Sequence, residues 1–504
     1  MFKKVLIANR GEIAIRVIRC LREHGIQSVA VYSDPDRDSL AVRYAHQAVH
    51  LPGNTSAETY MDIEKVLDAA KRTGCEAIHP GYGFLSEKAE FSQACRDAGI
   101  AFIGPHPESI SSMGDKTTAR ELMIKAGVPV TPGFQNENGD RREALQAAQE
   151  MGFPVMIKAS AGGGGKGMRR VDRAEDFLSN YDMAASEAKS AFGDDRIYIE
   201  KFIQNPRHIE VQIACDKHGN AIHLAERECS VQRRHQKVVE EAPSPAVTPE
   251  MRAKIGEIAI QAALAVNYDS VGTIEFLMDK DNNFFFMEMN TRLQVEHPVT
   301  EWITGVDLVR LQLQIAAGEK LPFSQDDITI TGHSVECRVY AEDPEKNFMP
   351  SPGKITSLLT PSGLGVRDDS GVYPGYEVPI YYDPMISKLT TWGRDREEAI
   401  LRMSRALGEY RVGGIKTNLW FHRALMQHPA WLAADLDTAF IERHPELLHK
   451  GLDEGHIEPA LIAAAIKHYK TEARRGAAGP DEQTQNSSQW KAGARLAVMR
   501  YRSL

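Results

Sequence analysis

The chain has 504 residues, of which 42% are hydrophobic and 26% are charged, and its formal net charge is −9. These ordinary values exclude a disordered chain and indicate a folded globular protein. The mild charge gives no reason to expect nucleic acid or a membrane as a partner, and no run approaches the roughly 18 apolar residues of a membrane span.

The six cysteines are scattered, without the spacing of a zinc site or of a disulfide framework. This usage fits a reducing compartment, so we predict a cytoplasmic protein. The first residues resemble the basic start of a signal peptide, but the apolar run that begins at Val5 stops at Asn9 and is too short. The length alone predicts about three domains.

The N-terminal part alternates between predicted strands and helices. A strand from Lys4 to Ala8 is followed by a helix from Gly11 to His24, whose apolar residues repeat at i, i+3, i+4 and i+7. Continued alternation predicts a mostly parallel sheet covered by helices. A dinucleotide site is disfavoured because the first strand-helix turn, at Asn9 to Gly11, lacks the G-x-G-x-x-G fingerprint. The rigid turn from His79 to Phe84 lies where α/β ligands bind, but plain turn chemistry is the favoured explanation.

A glycine-rich loop follows the predicted strand from Pro154 to Ala159. Residues 162–165 are all glycine, and glycine brings backbone N–H groups close to phosphate oxygens. Lys158 and Lys166 add positive charge. The loop is not a Walker A motif, because no G-K-[ST] closes it. A flexible linker is the alternative, but we predict a mobile cover over phosphates.

Polar side chains also alternate on a later predicted strand, where His208, Glu210 and Gln212 share one face. The segment from Glu226 to Lys237 then brings five positive or potentially positive groups together with carboxylates. A solvated basic face is the usual meaning of such a run. Beside an alternating strand, it predicts an anion site.

The stretch 284–298 carries the strongest signal. Three consecutive phenylalanines predict a buried strand, and alternation would turn Met287, Met289, Leu293 and Val295 into the core. A solvated edge strand is the simpler alternative, but carboxylates beside a core strand need partners or a metal. Five polar residues occupy the alternate positions of this stretch: Glu288, Asn290, Arg292, Gln294 and Glu296.

A metal site is predicted where this stretch meets the preceding strand. Glu275 lies on that strand, so Glu275 and Glu288 are expected on the two arms of a hairpin. Two carboxylates and the oxygen of Asn290 suit Mg²⁺, which prefers hard oxygen ligands together with substrate phosphates.

The region beyond Pro322 becomes richer in predicted strands, with a helix from Arg396 to Arg411. Past Pro445 a tail carries a predicted helix near Ala460 to Arg474, a polar linker and a basic end. We expect this tail to pack or dock rather than to take part in catalysis.

With these motifs assembled, the chain from Met1 to about Pro445 resembles the biotin carboxylases of the ATP-grasp superfamily. Several long motifs in the right order carry the resemblance, whereas the glycine loop alone would be weak. They are the start from Ile7 to Glu12, the turn from His79 to Gly83, the tetraglycine loop, Arg233 to Lys237, Glu288 to His297, and Glu336 to Arg338.

The resemblance implies an α/β ATP-grasp fold with an N-terminal Rossmann-like domain, a mobile glycine-rich lid and a strand-rich C-terminal domain. The expected boundaries are 1–114 for the N-terminal domain, 115–203 for the linker and lid (lid from about 133), 204–330 for the ATP-grasp core, 331–446 for the C-terminal domain, and 447–504 for an extension.

The resemblance also implies ATP-dependent carboxylation of biotin by bicarbonate, through carboxyphosphate. The expected cofactor is Mg²⁺, as two ions that Mn²⁺ can replace, and the implied metal ligands are Glu275, Glu288 and Asn290. The implied bicarbonate pocket is formed by Lys237, Arg292, Gln294 and Val295. The residues expected to bind ATP are Lys116, Lys158, Gly163, Gly164, Gly165, Glu200, Lys201, Ile203, His208, Gln232, His235, Glu275, Leu277 and Glu288.

Four residues are implied to act in catalysis. Glu296 matches the general base that takes the proton of bicarbonate, and Arg338 matches the group that stabilises the biotin enolate. Arg292 and Lys237 support the reacting anion. A buried structural ion pair is the alternative role for Arg338.

The chain contains no Met-Lys-Met biotinylation site. We therefore expect a separate biotin carboxyl carrier protein and a carboxyltransferase subunit. The family resemblance also implies a homodimer. The expected final acceptor is acetyl-CoA or another acyl-CoA, and the alternative is the biotin-carboxylating component of a two-subunit pyruvate carboxylase. A carboxylate–amine ligase of the same superfamily is a further alternative, disfavoured by Arg338 together with the cluster from Arg233 to Lys237. A non-catalytic nucleotide-binding assembly protein is another, disfavoured by the presence of Glu296, Lys237 and Arg338.

Overall fold

The structure, a computed structural model, describes residues 1–136, 139–159, 168–192, 195–234, 236–449, 462 and 465–470. The chain divides into two compact units, Met1–His449 and Lys450–Leu504. In the second unit the described residues are helical. The glycine loop, His235 and most of the tail lie outside the described residues.

A five-stranded sheet opens the first unit, as the alternation predicts. Its strand order is β3-β2-β1-β4-β5, and every pairing is parallel. Helix α1 forms because its apolar residues, among them Val17 and Leu21, recur on one face and are fully buried. The elements are β1 (Lys4–Ile7), α1 (Gly11–Glu23), β2 (Gln27–Tyr32), α2 (Leu40–Tyr44), β3 (Gln47–His50), α3 (Ile63–Thr73), β4 (Ala77–His79), α4 (Ala89–Asp97), β5 (Ala101–Phe102), α5 (Pro107–Gly114) and α6 (Lys116–Lys125).

The turn that follows β4 is fixed by the side chain of Asn9. Its Nδ2 donates to the carbonyls of Pro80, at 2.7 Å, and Tyr82, at 2.8 Å. Gly81 has φ +65°, and a Cβ there would lie 2.8 Å from the same nitrogen. Backbone geometry thus accounts for the glycine, while Tyr82 projects from the turn and donates a hydrogen bond to Glu12.

A smaller antiparallel sheet follows, with strand order β6-β9-β7-β8. The strands β7 and β8, which flank the glycine-rich segment, pair with each other as predicted. Apolar residues of β7, β8 and β9 pack with apolar residues of the two helices in this part of the chain, and together they form a separate small core. The elements are β6 (Gly133–Asn136), α7 (Arg141–Met151), β7 (Val155–Ala159), β8 (Met168–Val171), α8 (Ala174–Phe192) and β9 (Ile197–Lys201).

The remaining strands build an eight-stranded antiparallel sheet of order β14-β13-β10-β11-β12-β15-β22-β20. This sheet runs from the expected ATP-grasp core into the expected C-terminal domain through the pairing of β12 with β15. Its first elements are β10 (Arg207–Cys215), β11 (Ala221–Arg233), β12 (Gln236–Ala242), α9 (Pro249–Ala265), β13 (Val271–Met278), β14 (Phe284–Asn290), α10 (His297–Thr304) and α11 (Leu308–Ala316).

Among the C-terminal elements, β15, β22 and β20 complete this sheet, and six short strands form three separate two-stranded sheets. The C-terminal elements are β15 (His333–Tyr340), β16 (Glu342–Asp343), β17 (Met349–Pro350), β18 (Gly353–Lys354), β19 (Ser357–Leu359), β20 (Val366–Ser370), β21 (Glu377–Val378), β22 (Met385–Gly393), α12 (Arg396–Glu409), β23 (Arg411–Gly413), α13 (Leu419–Met426), α14 (Pro429–Leu432) and α15 (Phe440–Arg443). None of the helices within the described ranges is long and apolar enough to cross a bilayer.

The prediction that Met287 points into the core was wrong. Its side chain is 39% exposed. Glu275 pairs with Glu288 while Phe276 pairs with Phe286, so a β-bulge leaves Met287 without a partner. The strand also ends at Asn290, so the residues that follow reach the same site through a turn rather than by alternation.

Candidate active site

Three carboxylates lie in one row across neighbouring strands. Glu210 on β10 pairs with Glu275 on β13, which pairs with Glu288 on β14. The hairpin predicted for Glu275 and Glu288 is therefore present. Burial and the charge of Glu275 raise the pKa of Glu288. Buried like charges of this kind require cations nearby.

Lys237 on β12 is the cation at the centre of this row. Its Nζ lies 2.9 Å from Oε1 of Glu275 and 2.9 Å from Oε1 of Glu296, and it also donates to Glu210. Burial alone would lower the pKa of Lys237, but Glu275 and Glu296 raise it above its ordinary value. The ammonium therefore stays charged.

Glu296 lies in the turn immediately before α10 and is 2% exposed. Its Oε1 faces Lys237, and its Oε2 lies 2.9 Å from Nη2 of Arg338. Burial alone would raise the pKa of Glu296, but Lys237 and Arg338 hold it well below the usual range. The site thus contains an ionised carboxylate shielded from water. A proton acceptor must be ionised, but the two cations that keep Glu296 ionised also lower its basicity.

Arg338 on β15 is fixed at both its side chain and its backbone. Its Nε donates to Oε1 of Glu240 at 2.6 Å. Its carbonyl accepts from Nδ2 of Asn418 at 2.9 Å and from Nε2 of His422 at 2.8 Å. The guanidinium therefore has a fixed position beside Glu296.

Glu275 is surrounded by donors. Its Oε2 lies 2.8 Å from Nε2 of His208, and its Oε1 accepts from Nδ2 of Asn290 at 2.6 Å and from Nε2 of Gln294 at 2.7 Å. Burial opposes ionisation, but Lys237 and His208 lower the pKa of Glu275 well below its ordinary value. Gln232 in turn holds the ring of His208, because its Nε2 lies 2.7 Å from Nδ1 of that histidine.

Arg292 joins the cluster through the turn that follows β14. Its Nη2 donates to Oδ1 of Asn290 at 2.8 Å, and its Nε donates to Oε2 of Glu87 at 2.9 Å. Glu87 belongs to the N-terminal part of the chain. This ion pair therefore joins the segment between β4 and α4 to the carboxylate cluster.

The donor set fits a divalent cation. Glu275, Glu288 and Asn290 offer hard oxygen atoms on paired strands, and the raised pKa of Glu288 shows that a positive charge there would be stabilising. Ligand atoms of His208, Glu210 and Glu275 also lie within 4.8 Å of one another. Lys116, exposed at the start of α6, lies close enough to lower the pKa of Glu288.

The other predicted ATP contacts form two groups. On the smaller sheet, Lys158 pairs with Glu200, and Nζ of Lys201 donates to the carbonyl of Gly152 at 2.8 Å. Ile203 lies two residues after the end of β9. Leu277 stands opposite His208 in the β10–β13 pairing, beside the cluster. Gly163, Gly164, Gly165 and His235 lie outside the described residues.

The predicted basic segment does not act as one group. Arg227 and Lys237 reach the carboxylates, whereas the guanidinium of Arg233 lies 4.2 Å from the ring centroid of Phe348 and 3.7 Å from Glu342. Arg233 is separated from Lys237 by the turn between β11 and β12. Arg233 and Lys237 therefore lie on opposite sides of this turn, and their side chains contact different groups.

The sequence placed Arg227 in the basic segment but gave it no role of its own, and its side chain is fully buried. Its guanidinium donates to Glu210, Gln212, Thr273, Thr300 and Gln294. Arg227 therefore connects strands β10, β11 and β13 with helix α10 and with Gln294. The alternation on β10 contained part of the signal, because Glu210 pairs with Arg227 in the sheet.

Comparisons with known proteins agree with this arrangement along the first unit. The family model for the biotin carboxylase N-terminal domain matches residues 1–110, the one for the ATP-binding domain of the carbamoyl-phosphate synthase L chain matches 115–324, and the one for the biotin carboxylase C-terminal domain matches 336–443.

Curated relatives cover most of the chain. A pyruvate carboxylase subunit of Methanothermobacter thermautotrophicus is 52% identical over 453 residues, which are 90% of this chain and 91% of the relative. Biotin carboxylase of Nostoc is 52% identical over 441 residues, or 88% of this chain and 99% of the relative.

Solved structures give the same result. One match is the biotin carboxylase domain dimer of Hydrogenobacter thermophilus 2-oxoglutarate carboxylase, solved in complex with MgADP, ADP and bicarbonate. Its TM-score is 0.83 and its sequence identity is 47%, and the match covers 90% of this chain and 99% of that one. The Campylobacter jejuni biotin carboxylase matches with a TM-score of 0.83 and 47% identity, covering 88% and 99%. The predicted fold class is confirmed. This chain belongs to the biotin carboxylase family of the ATP-grasp fold.

Proposed function

We propose that this chain uses ATP and bicarbonate to carboxylate biotin that is attached to a separate carrier protein. The observation that carries the proposal is the position of Glu296, whose two carboxylate oxygens each face one cation, Lys237 and Arg338, at 2.9 Å. A buried proton acceptor between two anion-binding groups suits a reaction in which an oxyanion must lose a proton.

The metal and nucleotide would occupy the side of the cluster formed by β10, β13 and β14. Glu275, Glu288 and Asn290 would hold Mg²⁺, which neutralises phosphate charge during phosphoryl transfer. The proposed nucleotide contacts around this metal site are those named in the sequence: Lys116, Lys158, Gly163 to Gly165, Glu200, Lys201, Ile203, His208, Gln232, His235, Leu277 and the two glutamates.

Bicarbonate would bind on the other side, between Lys237, Arg292, Gln294 and the backbone of Val295. The planar guanidinium of Arg292 matches a planar oxyanion. Glu296 takes the bicarbonate proton while a bicarbonate oxygen attacks the γ-phosphorus, which forms carboxyphosphate and releases ADP.

Carboxyphosphate then breaks its C–O bond to give CO₂ and phosphate. The phosphate removes the proton from N1 of biotin, and the nitrogen attacks CO₂. Arg338 stabilises the negative charge that develops on the ureido oxygen of biotin. Its ion pair with Glu240 supports this role because it fixes the guanidinium before substrate arrives.

The cations of the site contact carboxylates of the protein itself. Lys237 contacts Glu210, Glu275 and Glu296, so bicarbonate must share or displace these contacts.

We further propose the assembly expected from the sequence: a homodimer working with a biotin carboxyl carrier protein and a carboxyltransferase, in the cytoplasm. The free, buried state of all six cysteines supports a reducing compartment. An acyl-CoA is the proposed final acceptor, and pyruvate is the alternative that the similarity to a pyruvate carboxylase subunit supports. The division at residues 114, 203, 330 and 446 belongs to the same proposal.

The deciding experiment follows ADP release from ATP, Mg²⁺ and bicarbonate while free biotin is varied. We expect release to require bicarbonate and to rise with biotin. Omitting each substrate in turn provides the control. If biotin had no effect and a carboxylate–amine pair supported release instead, the chain would be a different ATP-grasp ligase. Carboxyl transfer from the isolated assembly to acetyl-CoA or to pyruvate would then distinguish the acceptors.

A further inference from the structure

A second group of metal-binding side chains lies in the C-terminal part of the first unit. Nε2 of His428 is 3.0 Å from Oε1 of Glu446, and Nδ1 of His444 is 3.2 Å from the same oxygen. The nearest ligand atoms of all three residues lie within 4.8 Å of one another. These residues belong neither to the carboxylate cluster nor to the contacts proposed above for ATP, bicarbonate or biotin.

The separations are close to those of a coordination site. Zinc binds imidazole nitrogen and carboxylate oxygen at about 2.0–2.2 Å, which places tetrahedral ligands about 3.3–3.6 Å apart. The two nitrogen–oxygen distances need to grow by only a few tenths of an ångström. When the ion binds, each neutral ring keeps its proton on the second nitrogen, so that the nitrogen facing Glu446 is free to donate its lone pair to the ion.

Packing restricts the orientation of both rings. Their centroids lie 4.4 Å apart, and the buried Phe440 lies 5.9 Å from the His428 ring and 4.8 Å from the His444 ring. The second nitrogen of each ring is buried and has no hydrogen-bond partner among the described residues. Only the nitrogens that face Glu446 are therefore available to an ion.

The site is also accessible. The Glu446 side chain is 59% exposed, whereas those of His428 and His444 are 14% and 19% exposed. Three protein ligands with one open side leave room for a water molecule as the fourth ligand.

We propose that His428, His444 and Glu446 bind one zinc-class divalent ion, through two imidazole nitrogens and one carboxylate oxygen. This donor set suits borderline transition metals such as Zn²⁺ and Co²⁺ rather than Mg²⁺. The ion links the start of α14 to the segment that follows α15. Because the second ring nitrogens have no hydrogen-bond partner among the described residues, the affinity should be about 10–100-fold below that of a site with such partners.

The test uses Co²⁺ as a spectroscopic probe of the full chain. We expect wild-type protein to take up one more equivalent of Co²⁺, with tetrahedral absorption, than His428→Asn, His444→Asn or Glu446→Gln. Subtracting the Co²⁺ bound by a variant from the Co²⁺ bound by wild type cancels any binding at the cluster of His208, Glu210 and Glu275, because that cluster is intact in all four proteins. Zn²⁺ should also raise the Tm of wild type more than that of the variants.

His50→Asn is the matched control, because Nε2 of His50 also contacts a carboxylate, Asp34, at 2.8 Å, in a pair with one histidine. It should retain the extra equivalent. Glu446→Gln removes an exposed charge and so keeps the test valid if a histidine variant fails to fold. Equal Co²⁺ uptake and equal Zn²⁺ shifts in wild type and Glu446→Gln would show that the three residues form hydrogen bonds only and would overturn the proposal. Biotin-dependent ADP release reports the proposed function separately.

Discussion

Nζ of Lys388 lies 2.6 Å from the backbone carbonyl of Val295, the residue that precedes Glu296. Lys388 is fully buried on β22, where it pairs with Arg338 on β15. The same ammonium lies 3.3 Å from Oε1 of Glu12 on α1. One lysine therefore connects the N-terminal helix, the turn that carries Glu296 and the sheet that carries Arg338.

Replacing Lys388 with Met should destabilise the protein and slow turnover. The variant leaves the buried carboxylate of Glu12 without its cation, and breaking a buried pair in this way typically costs about 3–5 kcal/mol. Urea unfolding measures that loss. Adding Glu12→Gln to Lys388→Met should recover part of the stability, because the unpaired charge is gone. A single variant as stable as wild type would show that the pair contributes little.

Glu296→Ala should lower kcat by about 10²–10⁴-fold, the usual contribution of a positioned general base, while ATP affinity stays nearly unchanged. Steady-state ADP release and nucleotide binding by calorimetry measure the two effects. Loss of ATP binding would point instead to a structural role.

Glu301→Ala is a suitable control for that variant. It also removes a buried glutamate held by two cations, with Arg16 at 2.8 Å and Arg367 at 2.6 Å, but these partners lie outside the carboxylate cluster. It should lower the Tm and leave the kcat of the folded protein within a few-fold of wild type.

Glu288→Gln should raise the Mg²⁺ concentration needed for half-maximal rate by at least tenfold, on the order of 1.4 kcal/mol of lost metal binding. The amide keeps the size of the side chain but removes the charge that faces the cation. Burial and Glu275 raise the pKa of Glu288, so protons compete with Mg²⁺, and wild type should need more Mg²⁺ as the pH falls. The variant should lose that dependence, and an unchanged Mg²⁺ requirement would argue against Glu288 as a ligand.

Local patterns predicted the parts of the fold and site that depend on neighbouring residues. Alternating strands and helices indicated the parallel sheet, and the turn at residues 279–283 indicated the hairpin that pairs Glu275 with Glu288. The same logic failed at Met287, because a bulge adds one residue without leaving a mark in the hydrophobic pattern. Alternation also predicted that Gln294 and Glu296 belong to the site, and they do, but both lie after the end of the strand, where alternation no longer applies.

Long-range partners could not be predicted in this way. Arg292 pairs with Glu87, 205 positions away, and Arg338 pairs with Glu240, 98 positions away. Alternation tells which face of a strand is polar, but not which distant segment covers that face. Only the three-dimensional packing shows that Arg227, which sequence reasoning left without a role, contacts both Glu210 and Gln294.

His422 makes the support of Arg338 sensitive to acid. Burial lowers the pKa of His422 from 6.5 to about 4, and the neutral ring donates from Nε2 to the carbonyl of Arg338 at 2.8 Å. Between these two values the unfolded chain binds a proton that the folded chain excludes. The free energy of unfolding therefore falls as the pH drops from 6.5 towards 4, by up to about 3 kcal/mol from this residue.

His422→Gln should remove that contribution, because its amide keeps a donor for the carbonyl and does not titrate. We expect the unfolding free energies of wild type and variant, measured by urea at several pH values, to converge as the pH falls through this window. His79, which burial holds at a pKa of about 4, titrates in both proteins and so cancels from the comparison. A difference that stays constant between pH 6.5 and 4 would mean that the folded and unfolded chains bind the same number of protons at His422, so that burial does not lower its pKa.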